Sequence, residues 1–166
     1  MRSKHTPPPA ARKIQPVAAL ARIVHRLSAQ GRRVVFTNGC FDLLHAGHVK
    51  LLERAKRLGD VLIVGINSDR SVRGLKGPGR PIVPQAERAL VLASLASVDY
   101  VTVFNDPTPL RVLARLRPHV LVKGADWGAA KIVGRELVQR HGGRIVRFPL
   151  LAGHSTSNLI ARIRSK

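Results

Sequence analysis

Apolar positions along this chain follow two alternating periods. From Val17 to Ala29 the residues Val17, Leu20, Ile23, Val24 and Leu27 recur at helical spacing, and Gly31 ends the stripe. Val34, Val35 and Phe36 then form an unbroken apolar run, short and rich in β-branched residues, which predicts a buried strand. The same signature returns at Val61–Ile66, Tyr100–Phe104, Val120–Val122 and Ile145–Phe148. Between and after these runs the spacing predicts helices over Gly47–Leu58, Gln85–Ala96, Pro109–Leu116, Ile132–His141 and Ser157–Ile163. Strand and helix in alternation predict an α/β fold, a five-stranded parallel sheet with helices on both faces. Ligands of such sheets bind beyond the carboxyl ends of the strands.

Length and composition narrow the picture. A chain of 166 residues holds one core and is short for two domains. Residues 1–13 are basic and carry Pro7-Pro8-Pro9, so they are expected to be a disordered arm ahead of a single domain at 14–166. No apolar run is long enough to cross a bilayer, so no membrane partner is expected. Cys40 is the only cysteine, which rules out an internal disulfide and fits a cytoplasmic location. The formal charge of +20 raises a rival reading, a basic nucleic-acid-binding protein. Its arginines are scattered through every predicted helix and loop, however, and 4% aromatic residues leave little for a base-stacking platform. That pattern suits a solvated basic surface, and no specific nucleic-acid partner is expected.

The candidate chemistry gathers at the strand ends. The first strand leads into Asn38-Gly39-Cys40-Phe41-Asp42-Leu43-Leu44-His45-Ala46-Gly47-His48, where a glycine turn opens a helix. Unpartnered N–H groups at that helix start suit a triphosphate. His45 and His48 fall on one face of the first turn, and Gly47 keeps the approach open. Histidines three apart are also a metal-ligand pattern, but neither a third histidine nor a cysteine follows nearby, so no protein-held metal is expected. Asp42 reads as orienting the turn or the first histidine. The stretch Arg73 to Pro81 reads either as a solvated basic loop or as a mobile flap bringing Lys76 and Arg80 over a phosphate. Arg88, taken alone, reads as a surface residue. The fourth strand leads to Lys123-Gly124-Ala125-Asp126-Trp127, whose tryptophan suits either a core or nucleotide-base recognition. Ser155, Thr156 and Ser157 precede the last helix as caps or as phosphate ligands.

The segment from Gly39 to His48 resembles the signature of the nucleotidyltransferase superfamily. Leu75-Lys76-Gly77 with Arg80-Pro81, Asn67-Ser68-Asp69-x-Ser71-Val72, and Thr108-Pro109 look like the heptose 1-phosphate adenylyltransferases in particular. The likeness runs from Val17 to Ile163. It implies a Rossmann-like fold and the stand-alone adenylyltransferase part of an enzyme that some relatives fuse to a sugar kinase. It implies transfer of AMP from ATP to a D-glycero-D-manno-heptose 1-phosphate, giving ADP-heptose, a lipopolysaccharide precursor, and pyrophosphate. His45, His48, Lys76 and Arg88 would be catalytic. Asn38, Gly39, Cys40, Phe41, Asp42, Gly47, Lys123, Gly124, Asp126, Trp127, Ser155, Thr156 and Ser157 would line the nucleotide site. Mg²⁺ would be held mainly by the ATP phosphates, and relatives are commonly homodimers, with Val98–Tyr100 or the N-terminal helix at the contact. Two departures favour an alternative or count against it. Trp127 stands where the heptose enzymes usually carry tyrosine and the glycerol-phosphate cytidylyltransferases carry tryptophan. Conversely, Leu150-Leu151-Ala152-Gly153 lacks the arginine that those cytidylyltransferases place before the Ser-Thr turn. A cytidylyltransferase acting on glycerol 3-phosphate or a similar polyol phosphate is the alternative.

Overall fold

Five runs rich in β-branched residues pair into one parallel sheet; the inner ones are buried on both faces, whereas the last, Arg144–Phe148, is an edge with both arginines exposed and no residue fully buried. The strands are β1 (Val34–Gly39), β2 (Val61–Asn67), β3 (Tyr100–Phe104), β4 (Val120–Gly124) and β5 (Arg144–Phe148), in the order β3-β2-β1-β4-β5. Thr37 pairs with Val64 on one side and Val122 on the other, so β1 is the central strand. The computed structural model describes residues 9–124, 132–149 and 156–165.

Helices cover both faces. On one, α2 (Val17–Ala29), α6 (Leu110–Leu116) and α7 (Arg135–Arg140) bury Leu20, Val24, Leu113, Leu116 and Val138 against Phe36, Ile63 and Leu121. On the other, α3 (Ala46–Lys56) and α5 (Gln85–Ser94) bury Leu52, Ala55, Leu92 and Ala93 against Val35, Leu62 and Val64. The α/β sandwich expected from the alternating periods is the one observed, with ends shifted by a few residues where helices give way to turns.

Two elements differ from the expectation. The described part of the proposed arm is ordered: α1 (Ala10–Lys13) lies on α5, and Lys13 Nζ donates to the Val98 carbonyl at 2.8 Å. Ile14 bridges Val101, and Gln15 N–H donates to Val101 O at 2.9 Å, so this segment covers the β3 edge. The second difference is α4 (Asp69–Lys76), where the sequence pattern places a loop from Arg73 onward. Ser68 caps its start by accepting from Ser71 N–H at 3.2 Å, Asp69 sits in its first turn and Arg73 and Lys76 in its last. The segment from Gly77 to Pro84 is therefore the actual loop, and α8 (Thr156–Arg164) closes the described chain.

Candidate active site

The sheet reverses its winding at β1, whose neighbours are β2 and β4, and this is the crevice where open α/β sheets take their ligands. Its two banks are tied together: Lys123 Nζ at the end of β4 donates to Asn38 Oδ1 at the end of β1. Beyond Gly39 the chain turns sharply. Phe41 holds φ +46°, in the left-handed region that bulky residues avoid, and its buried ring packs tightly on position 39, where a Cβ would sit 3.2 Å from the ring and oblige it to shift. Phe41 therefore belongs to the core, and its ring, expected at the nucleotide, instead supports His48 at 5.2 Å between centroids.

His45 and His48 close the amino end of α3. His45 occupies the N-cap; its backbone N–H donates to His48 Nδ1 at 3.4 Å, and the His48 N–H donates to the His45 carbonyl at 2.9 Å. The rings lie 3.9 Å apart, tilted by 31°. Burial, and then the neighbouring His45, push the His48 pKa down to about 4. At neutral pH His48 is thus uncharged, and because Nδ1 accepts, its proton is on Nε2. One N–H donor remains for a ligand at the positive end of a helix, which suits an anionic oxygen. Gly47 occupies the second position of α3.

Two buried ions hold this turn from below: Asp42 orients it, as its sequence position suggests, and Arg88 departs from the role expected of it. The Asp42 carboxylate, which the resemblance also placed in the nucleotide site, accepts from Arg80 Nε at 2.6 Å, from Ile82 N–H at 2.9 and 3.0 Å, and from Val83 N–H at 2.9 Å. Burial alone would raise its pKa, but those two N–H groups and Arg80 outweigh burial and lower it. Arg88, expected to face phosphate, has a side chain that is 0% exposed. Its guanidinium donates to Val83 O at 2.9 Å, Cys40 O at 2.5 Å and Asp69 Oδ1 at 2.7 Å. It is a strut joining the histidine turn, the start of α4 and the 77–84 loop. Cys40 offers its carbonyl to that strut; burial raises its thiol pKa against the pull of Lys76, Arg88 and Arg80, so the sulfur stays protonated.

A cleft of about 500 Å³ is lined by Lys76, Gly77, Pro78, Gly79, Arg80, Ser157, Ile160 and Ala161; it shares Arg80 with this floor of the histidine turn, and neither histidine lines it. Lys76 is exposed at the end of α4. Ser157 lines the cleft, whereas Thr156 Oγ1, the other expected phosphate ligand described, donates to Leu43 O at 3.2 Å and ties α8 to the histidine turn. Gly124 ends β4 beside Lys123. Asp126, Trp127 and Ser155 lie outside the described residues. Sequence reasoning missed the partners of Asp42 and Arg88, which lie 38 to 48 residues away for Arg80 and Cys40. The only local hint was a charged residue placed next to an apolar helix stripe.

Among the described residues no three His, Cys, Asp or Glu side chains group to hold a metal. Asp42 and Asp69 are both engaged by arginine. Among the described residues no helix is long and apolar enough to span a membrane.

A family model described as cytidylyltransferase-like matches residues 36–149. The chain is 50% identical over 161 residues to the bifunctional protein HldE of Geotalea uraniireducens, covering 97% of this chain and 33% of that protein. It is 54% identical over 151 residues to the bifunctional protein HldE of Paramagnetospirillum magneticum, covering 91% and 31%. The chain thus spans about one third of the length of these curated relatives. Among solved structures, the lipopolysaccharide core biosynthesis protein of Thermoplasma volcanium superposes with a TM-score of 0.63 at 26% identity, over 73% of this chain and 99% of that one. A pantoate-beta-alanine ligase from Francisella tularensis, at 17% identity and a TM-score of 0.59 over 92% of this chain and 79% of that one, shares the fold.

Proposed function

The chain belongs to the cytidylyltransferase-like family, and from that premise we propose that it transfers AMP from ATP to a heptose 1-phosphate, releasing pyrophosphate and forming ADP-heptose. The observation that carries this reading is the pair of histidines locked at the amino end of α3, at the reversal point of the sheet. The likeness to HldE proteins and to a lipopolysaccharide core biosynthesis protein supports the heptose acceptor.

In the proposed reaction a phosphate oxygen of the sugar phosphate attacks the α-phosphorus of ATP. The bond from that phosphorus to the bridging oxygen breaks on the opposite side, and pyrophosphate leaves with the electron pair. The attacking oxygen is already ionised at neutral pH, so the chain needs no strong base. Its work is positioning and charge stabilisation. His48 donates from Nε2 and His45 lies beside it against the phosphates, with the α3 N–H groups behind them. Lys76 brings positive charge from the rim of the cleft to the departing pyrophosphate. Arg88 keeps the floor in place. A divalent cation, Mg²⁺ by its chemistry, would ride on the triphosphate and neutralise part of its charge. The reading includes a homodimer; Val98 is fully buried and cannot form its contact.

The test is pyrophosphate release from ATP and from CTP, each paired with heptose 1-phosphate and with glycerol 3-phosphate. Turnover with ATP and the heptose alone is the expected result. Preference for CTP and glycerol 3-phosphate would replace it with the polyol-phosphate cytidylyltransferase reading.

A further inference from the structure

The loop over the cleft is fastened at one half and open at the other. Residues 80–83 are gripped by a carboxylate whose side chain is 1% exposed: Asp42 Oδ2 accepts from Arg80 Nε and Ile82 N–H, and Oδ1 accepts from Ile82 and Val83 N–H. From beneath, Arg88 donates to both Val83 O and Cys40 O, so the loop and the histidine turn share a second bond donor. Upstream the hold is lighter among the described residues: Gly77 N–H donates to Arg73 O at 3.0 Å and Arg80 N–H to Gly77 O at 3.2 Å. A Cβ at Gly77 or Gly79 would meet no atom within 4 Å, and Gly77 holds φ +97° and ψ 174°, a conformation that only glycine adopts freely.

We propose that Asp42 is a positioning residue that latches the flap to the histidine turn, so that Arg80 is held by its Nε edge at the cleft and only the Lys76–Gly79 tip swings onto a ligand's phosphates. The phosphate part of this inference rests on the function proposed above; the latch itself rests on the geometry. A carboxylate is needed because both of its oxygens face donors. An asparagine could keep one oxygen on the backbone N–H groups, but its NH₂ would then face Arg80 Nε, donor against donor. Asp42→Asn therefore frees Arg80 while keeping the backbone clasp, and Asp42→Ala frees both. Because Asp42 fixes only the Nε edge, the two terminal nitrogens of Arg80, which lines the cleft, stay available to an anionic group.

The full chain carrying Asp42→Asn, Arg80→Gln, both together, or Asp42→Ala is assayed for kcat, KM for each substrate, thermal midpoint, and trypsin cleavage at the Lys76–Gly77 bond. The latch predicts that each single change of the first two lowers kcat/KM for the nucleotide by about tenfold, and that the double variant is no worse than the poorer single one. It predicts cleavage at Lys76–Gly77 accelerating about fivefold or more in Asp42→Ala, beyond any change in global unfolding. Losses that multiply in the double variant, or unchanged cleavage in Asp42→Ala, overturn it. If Asp42→Ala does not fold, cleavage in Arg80→Gln, expected to rise in the same direction, decides. If the wild-type chain turns over no nucleotide, the function proposed above fails while the cleavage arm still reads the latch; normal turnover with unaltered cleavage sinks the latch alone.

Discussion

Arg88 and Lys76 are both cations of the same site, and the fold puts them to opposite uses. The Arg88 side chain is fully buried and ties together three segments of the site floor. Lys76 ends a helix at the rim, exposed, next to glycines that meet nothing. A planar guanidinium with donors in a fixed fork suits the strut; a single charge on a flexible stem suits the rim. On the function proposed, the difference teaches that such a site divides into a floor built before a ligand arrives and a tip left open to it.

The sharpest way to break that contrast is to remove each cation. Arg88→Ala strips two carbonyls of their donor and leaves the Asp69 carboxylate without its partner. It should destabilise the fold by about 3–5 kcal/mol, read by denaturant unfolding, with activity lost in parallel. Arg88→Lys should rescue only in part, because an ammonium cannot span three acceptors in one plane. Lys76→Ala should leave the unfolding midpoint unchanged while lowering kcat/KM by about tenfold, on the order of 1.4 kcal/mol in transition-state stabilisation. If the two variants behaved alike, floor and tip would be one unit.

A smaller effect separates the two halves of the floor by pH. His48 has its pKa held near 4 against an ordinary 6.5, so between those values the unfolded chain binds a proton that the folded chain refuses. Stability should therefore fall as pH drops through that window, and His48→Asn should flatten the decline in thermal midpoint. Asp42 acts lower. Its folded pKa lies below the ordinary 3.8, so its contribution is intact above that value and is lost as pH falls through the folded pKa. Asp42→Asn should remove only this second, more acidic step.

How legible the site was in the sequence follows the same division. The sheet was readable because Val34–Phe36, Val61–Ile66 and Val120–Val122 are near-continuous apolar runs that a doubly covered parallel strand buries, while the edge run Ile145–Phe148 was readable from its β-branched residues although Arg147 interrupts it and is exposed. The histidine pair was readable because a helix start fixes i, i+3 neighbours locally. The helix α4 was not, since Gly74 and a run of polar residues hide it, although Ser68 and Asp69 carry the cap signal in full. Least readable was the floor. Arg88 reads as a surface cation, and it is buried because its three acceptors come from positions 40, 69 and 83. No local spacing encodes a bond whose ends meet only after the sheet has formed.

The central claim is that His45, His48 and the amino end of α3 hold a nucleoside triphosphate, and calorimetric titration of the folded chain with a non-hydrolysable ATP analogue and Mg²⁺ tests it most directly. One site per chain is expected in the wild type, with affinity reduced about tenfold or more in His48→Ala at an unchanged fold. Equal affinity in His48→Ala, or no heat with either an ATP or a CTP analogue, would contradict it.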